Sequence, residues 1–374
     1  MGTRARSDRG APSGPSGAPT RLRRRNHPPP QAGEGRGRGR PRGNGTDGGV
    51  QAPAPRQPET AQQSARGYFD MSFFYLLSGT PEERELAALE LWALSGVRAL
   101  GACGEGPVAV DLGGAAYVRL CAETLATAES LDELVAAVQA QGLRLEGFRV
   151  EVHRPAPRAA EGRPEIVRRL ADSWDGQPDL DRPRVRLAVV AQRGSWRLGR
   201  IVSESHGDWR EGLPPGDYSA ALPAQLARAL VNLVAAPGDT LLDPCCGVGT
   251  VVAQAARRGV RALGVEIIKK LAGRAKDHVR ACGVGGLIVA GDGRTWGGHF
   301  DAAVADLPYG RCNVIPEGLY PALLGNLRKL ADRAAIVSAE PLDELLAECG
   351  WRLVATAHVR AGSLVRHVHL VASG

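Results

Sequence analysis

The chain has 374 residues, of which 43% are hydrophobic, so it is long enough for two folded domains with buried cores. It contains no run of about 18 apolar residues of the kind that spans a bilayer. The net charge of +7 is uneven: residues 1–66 contain 13 arginines and 4 acidic residues and carry +9, which leaves −2 for the remainder. The positive net charge therefore comes from one end of the chain, and the rest of the chain is not uniformly basic.

The seven cysteines include no Cys-x-x-Cys pair, and Cys245 and Cys246 are adjacent, which is too close for an ordinary disulfide. No cluster of histidines accompanies them. We therefore expect a reduced, cytoplasmic protein without a metal site and without a membrane partner.

Residues 1–66 are mainly Gly, Pro, Arg, Ser and Ala, and such a segment cannot bury enough apolar surface to fold. We expect a disordered tail whose arginine runs at 21–25 and 35–40 would attract phosphate backbones without sequence preference. Two other interpretations stay open. The arginines are incidental, or the segment is a translated leader upstream of a start at Met71.

Short strands and helices are predicted over residues 67–202, which indicates an α+β domain. The predicted strands are 69–77, 148–152 and 185–191, together with a hairpin of 108–112 and 116–120 around Gly113 and Gly114. The predicted helices are 81–95, 130–141, which Ser130 caps with Glu133 in the capping-box position, and 163–173. Charge separates along this region, because residues 71–140 carry −7 and residues 141–200 carry +5.

The basic part of this region contains the candidates for contact with a nucleic-acid backbone. They are Arg149, Arg154, Arg168, Arg169 and Arg184. The alternative for each is a solvated surface position. Trp174, Trp196 and Trp209 could stack on bases, although isolated tryptophans in a small domain also pack in its core.

Residues 203–216 are rich in turn-forming residues and predict a linker, and a second domain follows at 217–374. It begins with a helix near 222–231, after which apolar runs alternate with helices. The predicted strands are 240–244, 261–266, 286–290, 301–306, 333–338, 351–358 and 364–371, and the predicted helices are 250–258, 268–281, 316–331 and 341–348. This order predicts a parallel sheet with helices on both faces. Only a short turn separates the last two strands, so they must pair antiparallel.

Polar motifs follow three of these strands. The first, Asp243-Pro-Cys-Cys-Gly-Val-Gly-Thr250, is a glycine turn between a strand and a helix, where backbone can approach a ligand. Glu266 ends the next strand about 20 residues later, where an acidic group meets ribose hydroxyls in nucleotide-binding folds. The third motif is Asp306-Leu-Pro-Tyr-Gly310.

The pair of motifs Asp-Pro-x-Cys-Gly-x-Gly-Thr and Asp-x-Pro-Tyr-Gly resembles the class I S-adenosylmethionine-dependent methyltransferases that modify exocyclic amines, and most of all the THUMP-domain tRNA guanine-N2 methyltransferases. The resemblance implies a seven-stranded, mostly parallel, Rossmann-like sheet over residues 217–374. The order strand, helix, Leu180-Asp-Arg-Pro183, strand is similar to the carboxyl half of a THUMP domain, an RNA-binding module. It implies that residues 67–202 bind tRNA.

The resemblance also assigns a cofactor, S-adenosylmethionine, to the first motif. Asp243 would take its ammonium group, and the loop from Cys246 through Gly247 and Gly249 to Thr250 would offer backbone N–H groups to its carboxylate. Glu266 would accept from the ribose diol and Asp292 from the adenine amine. The cysteine thiols themselves are interpreted as packing groups.

The third motif would hold the methyl acceptor. Asp306, or a carbonyl beside Pro308, would accept the amine hydrogens, and Tyr309 would stack on the flipped base. Leu307 stands where related enzymes often have proline, and Glu266 stands where aspartate is common. Both departures keep the needed chemical groups and leave the choice of substrate open.

The hypothesis from sequence is an RNA methyltransferase that acts on an exocyclic amine, N2 of a tRNA guanosine in first place. One alternative keeps the cofactor and changes the substrate, to an adenine-N6 or cytosine-N4 of DNA or to rRNA. Another is a non-catalytic RNA-binding protein that retains the fold.

Overall fold

The computed structural model describes residues 71–153, 162–192, 194–210, 221–309 and 315–374. The predicted tail at 1–66, residues 211–216 of the predicted linker, Arg154 and Gly310 lie outside the described residues.

The first sheet has seven strands in the order β2-β3-β1-β4-β7-β6-β5. The strands are β1 Phe73–Leu77, β2 Ala99–Leu100, β3 Cys103–Gly106, β4 Val118–Ala128, β5 Phe148–His153, β6 Val185–Gln192 and β7 Ser195–Glu204. Neighbouring strands are antiparallel except for β5 and β6. β1 lies inside this sheet and all five of its residues are buried.

Three helices accompany this sheet: α1 Arg84–Ser95, α2 Leu131–Ala140 and α3 Arg163–Ala171. The Ser130 hydroxyl accepts a hydrogen bond from the backbone N–H of Glu133, so the predicted cap of α2 is confirmed. Helices α2 and α3 contribute their apolar sides to one core with β5 and β6. Trp174 and Trp196 belong to that core and are each 7% exposed, which makes them packing residues.

The predicted hairpin of 108–112 and 116–120 is wrong, because residues 108–112 form no strand. β1 pairs with β3 and β4. β3 was not predicted, since glycine is unfavourable in strands. Here glycine is required, because a Cβ on Gly104 or Gly106 would meet α1 and Val97 side chains at 2.6 and 2.4 Å. Strand β7, which lies between β4 and β6, was not predicted either.

The second sheet also has seven strands, in the order β10-β9-β8-β11-β12-β14-β13. The strands are β8 Thr240–Asp243, β9 Arg261–Glu266, β10 Leu287–Ala290, β11 Ala302–Asp306, β12 Arg333–Ser338, β13 Trp351–Ala361 and β14 Leu364–Ser373. Pairing is parallel from β10 to β12, and β14 is antiparallel to both β12 and β13. The predicted class I methyltransferase sheet with its antiparallel terminal hairpin is therefore confirmed.

Five helices cover the second sheet on two faces: α4 Ala224–Val234, α5 Thr250–Arg257, α6 Lys269–Ala281, α7 Leu319–Leu330 and α8 Asp343–Glu348. One face packs against α4, α5 and α6 and shares a core with α1 of the first half; we call it the α4 face. The opposite face packs against α7 and α8. No helix within the described ranges is long and apolar enough to cross a membrane.

A group of buried polar residues, which we call the junction cluster, joins the two halves of the chain. Its centre is Glu90 of α1, which is fully buried. The Glu90 carboxylate accepts hydrogen bonds from the N–H groups of Ala116, Tyr117 and Val118 at 2.8, 2.6 and 3.2 Å, and from the Asn232 amide of α4 at 2.7 Å. These four donors fill the hydrogen-bond acceptor sites of the Glu90 carboxylate.

Two arginines complete the junction cluster. Arg228 of α4 is fully buried and forms an ion pair with Asp208 at 2.7 Å. Arg258 donates to the Asn232 side-chain oxygen at 3.0 Å. Residues 71–374 belong to one compact unit. The predicted division into a first domain that ends at residue 202, a linker at 203–216 and a second domain that starts at residue 217 stays a prediction.

Candidate active site

Three acidic side chains lie on the α4 face at the carboxyl edge of the second sheet. Asp243 ends β8, Glu266 ends β9 and Asp306 ends β11. Side chains two residues apart along a strand share a face, and the registers of β8 with β9 and β11 place all three on the same one. Because the carboxyl edge of a parallel sheet is where such folds bind ligands, this edge is the candidate site.

The loop after β8 is shaped by two glycines with left-handed backbone. Gly247 has φ 55° and Gly249, the residue before α5, has φ 81°. A hydrogen bond from Gly249 N–H to the Cys246 carbonyl, 2.7 Å long, closes the turn, and Cys246 N–H bonds to the Val265 carbonyl of β9 at 3.0 Å. The loop is therefore fastened to β9 while the start of α5 faces the edge of the sheet.

Glu266 is tied to this loop through both carboxylate oxygens. Oε2 accepts from Gly247 N–H at 3.0 Å, and Oε1 accepts from Ile268 N–H at 2.8 Å. The side chain is 6% exposed. Two backbone donors fix the orientation of this carboxylate, and each oxygen retains a further lone pair for a diol.

Asp243 and Thr250 are buried polar residues at the two ends of the same loop, 2% and 4% exposed. Burial raises the pKa of Asp243 well above its ordinary value, and the charges of Asp306 and Glu266 raise it further. Cys245 N–H donates to Asp243 at 3.2 Å. The Thr250 hydroxyl has no hydrogen-bond partner among the described residues. Buried polar atoms without partners are unusual and mark places where a ligand supplies the missing bond.

Asp292 follows β10 and is held by Arg294, which donates to both carboxylate oxygens at distances from 2.6 to 3.0 Å. This bond lowers the pKa of Asp292. The neighbouring Gly293 packs against the loop after β8, since a Cβ there would lie 2.3 Å from the Pro244 carbonyl. Asp292 is thus beside the loop, and its acceptor capacity is shared with Arg294.

The segment after β11 extends the edge of the sheet. Leu307 N–H donates to the Val337 carbonyl of β12 at 2.9 Å, and the Leu307 side chain is buried on the opposite face of the sheet, which α7 and α8 cover. The Pro308 carbonyl accepts from the Tyr320 hydroxyl of α7 at 2.6 Å. The Tyr309 hydroxyl donates to Oδ1 of Asp306. Leucine at 307 is therefore a packing residue, and the departure from proline leaves the backbone groups in place.

Asp306 is the most strongly perturbed carboxyl group of this segment. Burial raises its pKa to about 7, and the positive charge of Arg366 in β14 opposes that rise. A carboxyl group with a pKa near neutrality can accept or release a proton at the pH of the cell.

A cysteine connects the two loops of the site. The Cys245 thiol donates to the backbone carbonyl of Asp306 at 3.2 Å. Burial and the neighbouring Asp243 and Asp306 raise the pKa of this thiol well above its ordinary value, so it is a neutral donor. The loops after β8 and β11, which are about 60 residues apart in the chain, thus meet directly at one edge.

Arg366, Tyr320 and the hydrogen bond of the Cys245 thiol were not predicted from the sequence. Arg366 lies in β14, whose alternating pattern indicates only a strand, and the pairing of β14 with β12 brings it to the site. Tyr320 is the second residue of α7 and Cys245 lies in the loop after β8. Each reaches the segment after β11 through a contact between parts of the chain that are distant in sequence.

The arginines predicted to contact RNA lie in the first half of the protein. Arg149 is exposed beside Glu151, with 3.7 Å between nitrogen and oxygen. Arg168 forms ion pairs with Glu165 and Asp172, and Arg169 forms one with Asp132. Arg184 is exposed next to Gly147. Arg154 lies outside the described residues. Three of the four described candidates thus have carboxylate neighbours, and their role as RNA contacts stays a prediction.

Among the described residues, no group of three or more His, Cys, Asp or Glu side chains could hold a metal ion.

Part of the second half is similar to a family of catalytic domains. Residues 212–366 match the UPF0020 family model, described as an RMKL-like methyltransferase domain. The chain is 26% identical over 223 residues to the tRNA (guanine(10)-N2)-dimethyltransferase of Pyrococcus abyssi. The aligned region covers 55% of this chain and 68% of that protein.

Two further proteins are similar to different lengths of this chain. The protein of the same name from Methanothermobacter thermautotrophicus is 29% identical over 140 residues, 35% of this chain and 42% of that protein, so the match spans less than half of that relative. Among solved structures, TrmN from Thermus thermophilus is 22% identical, with a TM-score of 0.48, over 81% of this chain and 100% of that one.

Proposed function

We propose that the protein methylates an exocyclic amine of RNA, and specifically N2 of a guanosine in tRNA, because residues 212–366 match the model of the RMKL-like methyltransferase domain. S-adenosylmethionine is the methyl donor of this methyltransferase domain. The observation that carries the proposal is the meeting of the two loops at one edge, where the Cys245 thiol bonds to the Asp306 carbonyl.

The residues after β8 fit this cofactor. Thr250 offers a buried hydroxyl that no described residue bonds to, and the loop before α5 offers backbone N–H groups for a carboxylate. Asp243 would hold the ammonium group and Glu266 the ribose hydroxyls, while Asp292 is the candidate for the adenine amine. When bound, S-adenosylmethionine supplies a methyl group on a positively charged sulfur.

The residues after β11 would prepare the acceptor. An aromatic amine is a poor nucleophile, because its lone pair is delocalised into the ring. The Pro308 carbonyl and the Asp306 carboxylate would accept its two hydrogens and turn the lone pair out of the ring plane. The bond from Tyr309 occupies Oδ1 of Asp306, so Oδ2 is the oxygen that would take the amine hydrogen and then its proton.

The Tyr309 ring is partly buried against the core of the α4 face, and it would support the base after the base leaves its helix. The first half of the protein, with its arginines, would hold the rest of the RNA. Cytoplasmic location and tRNA as the partner are parts of the same proposal, which rests on the names of the two archaeal relatives.

The test is methyl transfer followed by nucleoside mapping. The full-length protein is incubated with labelled S-adenosylmethionine and unmodified tRNA, with ribosomal RNA and DNA in parallel. The RNA is then digested and its nucleosides are separated by mass. We expect label in N2-methylguanosine or N2,N2-dimethylguanosine from tRNA.

Two outcomes would contradict the proposal. Label in N6-methyladenosine, in DNA or only in ribosomal RNA would identify a different substrate for the same site. Calorimetric binding of S-adenosylmethionine with no transfer to any nucleic acid would favour a binding protein that keeps the fold.

A further inference from the structure

Arg366 lies buried beside the candidate site, and the residue is 9% exposed. Two nitrogens of its guanidinium group, Nε and Nη1, are buried without a hydrogen-bond partner among the described residues. A buried charge that lacks partners is costly, and most buried guanidinium groups are paired. Arg228 in the junction cluster is fully buried and has Asp208 at 2.7 Å. Arg366 therefore has donors available for a molecule that enters from outside.

The strand registers place Arg366 on the same face as Asp306. Asp306 of β11 is paired with Val337 of β12, and Val337 is paired with Val368 of β14. Arg366 precedes Val368 by two residues and so shares its face, one step nearer to the carboxyl edge. The charge of Arg366 acts on the Asp306 carboxyl group, although no hydrogen bond joins the two.

An acceptor group next to a donor group suits one edge of guanine. Along its Watson–Crick edge, guanine presents two donors, N2–H and N1–H, followed by one acceptor, O6. A carboxylate would take a hydrogen of the N2 amine, and a guanidinium beside it would donate to O6. Enzymes that flip a base out of its helix commonly recognise it along this edge.

We propose that Arg366 is a specificity residue that donates to the O6 carbonyl of the target guanine while Asp306 holds the N2 amine. This inference rests on the proposed function and deepens it. An RNA phosphate is the weaker candidate for the same donors, because the adjacent Asp306 carboxylate would repel it. A phosphate also carries a full charge that favours the surface over a side chain nine-tenths buried.

The test compares two substrates with two forms of the enzyme. One RNA is a tRNA that the wild-type enzyme methylates, and the other carries 2-aminopurine ribonucleoside at the mapped guanosine. 2-Aminopurine keeps the exocyclic amine but has no O6. The variants are Arg366→Met, which removes the charge, and Arg366→Lys, which keeps the charge without the planar fork. Arg352→Met, on an exposed residue at the other end of the hairpin, is the matched control.

We expect Arg366→Met to lower kcat/KM on the guanosine RNA roughly 10- to 100-fold and to change it less than about threefold on the 2-aminopurine RNA. Such a difference between the two RNAs isolates the contact with O6. Arg366→Lys should recover part of the loss. Arg366→Met, and not Arg366→Lys, should also raise the pH midpoint of the rate, since it removes the charge that opposes protonation of Asp306. Binding of S-adenosylhomocysteine should be the same in all forms.

An equal loss on both RNAs would overturn the proposal and indicate a phosphate contact or a structural role. An unchanged rate on the guanosine RNA would overturn it as well. In both cases the proposed function would stand. If the wild-type enzyme transfers no methyl group to guanosine in any RNA, the proposed function and this proposal fall together.

Discussion

Two buried carboxyl groups in this protein have opposite environments. Glu90 in the junction cluster accepts four hydrogen bonds from protein donors, and these bonds oppose the rise in pKa that burial causes. Among the described residues, one side chain donates a hydrogen bond to Asp306 at the candidate site, that of Tyr309, and burial raises the pKa of Asp306 to about 7. A carboxylate whose acceptor sites are filled by the chain holds the structure together, whereas one whose sites are open is available for chemistry.

The largest expected effect comes from the open carboxylate. Asp306→Asn keeps the shape of the side chain but can no longer take a proton from the amine, so methyl transfer should fall roughly a thousandfold or more. Calorimetry should find S-adenosylmethionine affinity within about threefold of wild type. Normal turnover by this variant would mean that Asp306 is not at the acceptor site, and the contrast with Glu90 would lose its basis.

The filled carboxylate should respond in stability. Glu90→Ala leaves three backbone N–H groups and the Asn232 amide buried without an acceptor, so we expect the free energy of unfolding to fall by about 3–5 kcal/mol. Urea denaturation measures the change. The exposed Glu344→Ala is the control and should stay within about 0.5 kcal/mol of wild type. A loss below about 1 kcal/mol in Glu90→Ala would show that the junction cluster adds little.

Both the rate of methyl transfer and the stability of the fold should depend on pH through Asp306. Because the pKa of Asp306 is about 7, the rate of transfer should rise about tenfold per pH unit up to that value and level off above it. The folded state holds a proton on Asp306 that the unfolded chain has lost above its ordinary pKa. Stability from this group is therefore present at low pH and lost as pH rises towards 7. Asp306→Asn should remove that loss, which thermal melting at pH 5 and pH 8 would detect. A flat rate profile from pH 6 to 8 would contradict the assignment.

The smallest expected effect concerns two threonines with different partners. Thr250→Val removes a buried hydroxyl that has no partner in the described part of the chain, so we expect unchanged or slightly higher stability and a loss in S-adenosylmethionine affinity of roughly five- to twentyfold. Thr240→Val removes a hydroxyl bonded to Asp301 at 2.8 Å and should lower stability by about 1 kcal/mol without a change in affinity. If both variants behave alike, the unpartnered hydroxyl is not a ligand contact.

Much of the second sheet could be predicted from sequence, because its strands are short apolar runs that end in a polar residue. Asp243, Glu266 and Asp306 each come at such an end, and parallel strands bring those ends to one edge. The motifs that resemble amine methyltransferases added the cofactor. The predicted fold class is confirmed and residues 212–366 match a methyltransferase family model, while the roles of the individual site residues remain proposals.

The first sheet was harder to predict because its strands depend on contacts distant in sequence. Gly104 and Gly106 lie in a strand that was not predicted, and only α1 and Val97, which pack against them, explain why glycine is needed there. β7 was not predicted either, and its last two residues fall in the predicted linker. Arg366 was missed for a related reason: its position beside Asp306 depends on two successive strand pairings, β11 with β12 and β12 with β14.

The position of Glu90 limits how this enzyme can be re-engineered. Three of its hydrogen-bond donors come from the first half of the chain and the fourth comes from α4, the helix that covers the methyltransferase sheet. A catalytic segment that begins at residue 217 and is fused to a foreign RNA-binding module would expose that helix, and its buried Arg228 and Asn232 would lose their partners. The two halves therefore cannot be exchanged independently, and a functional chimera would have to include α1 together with the new RNA-binding module.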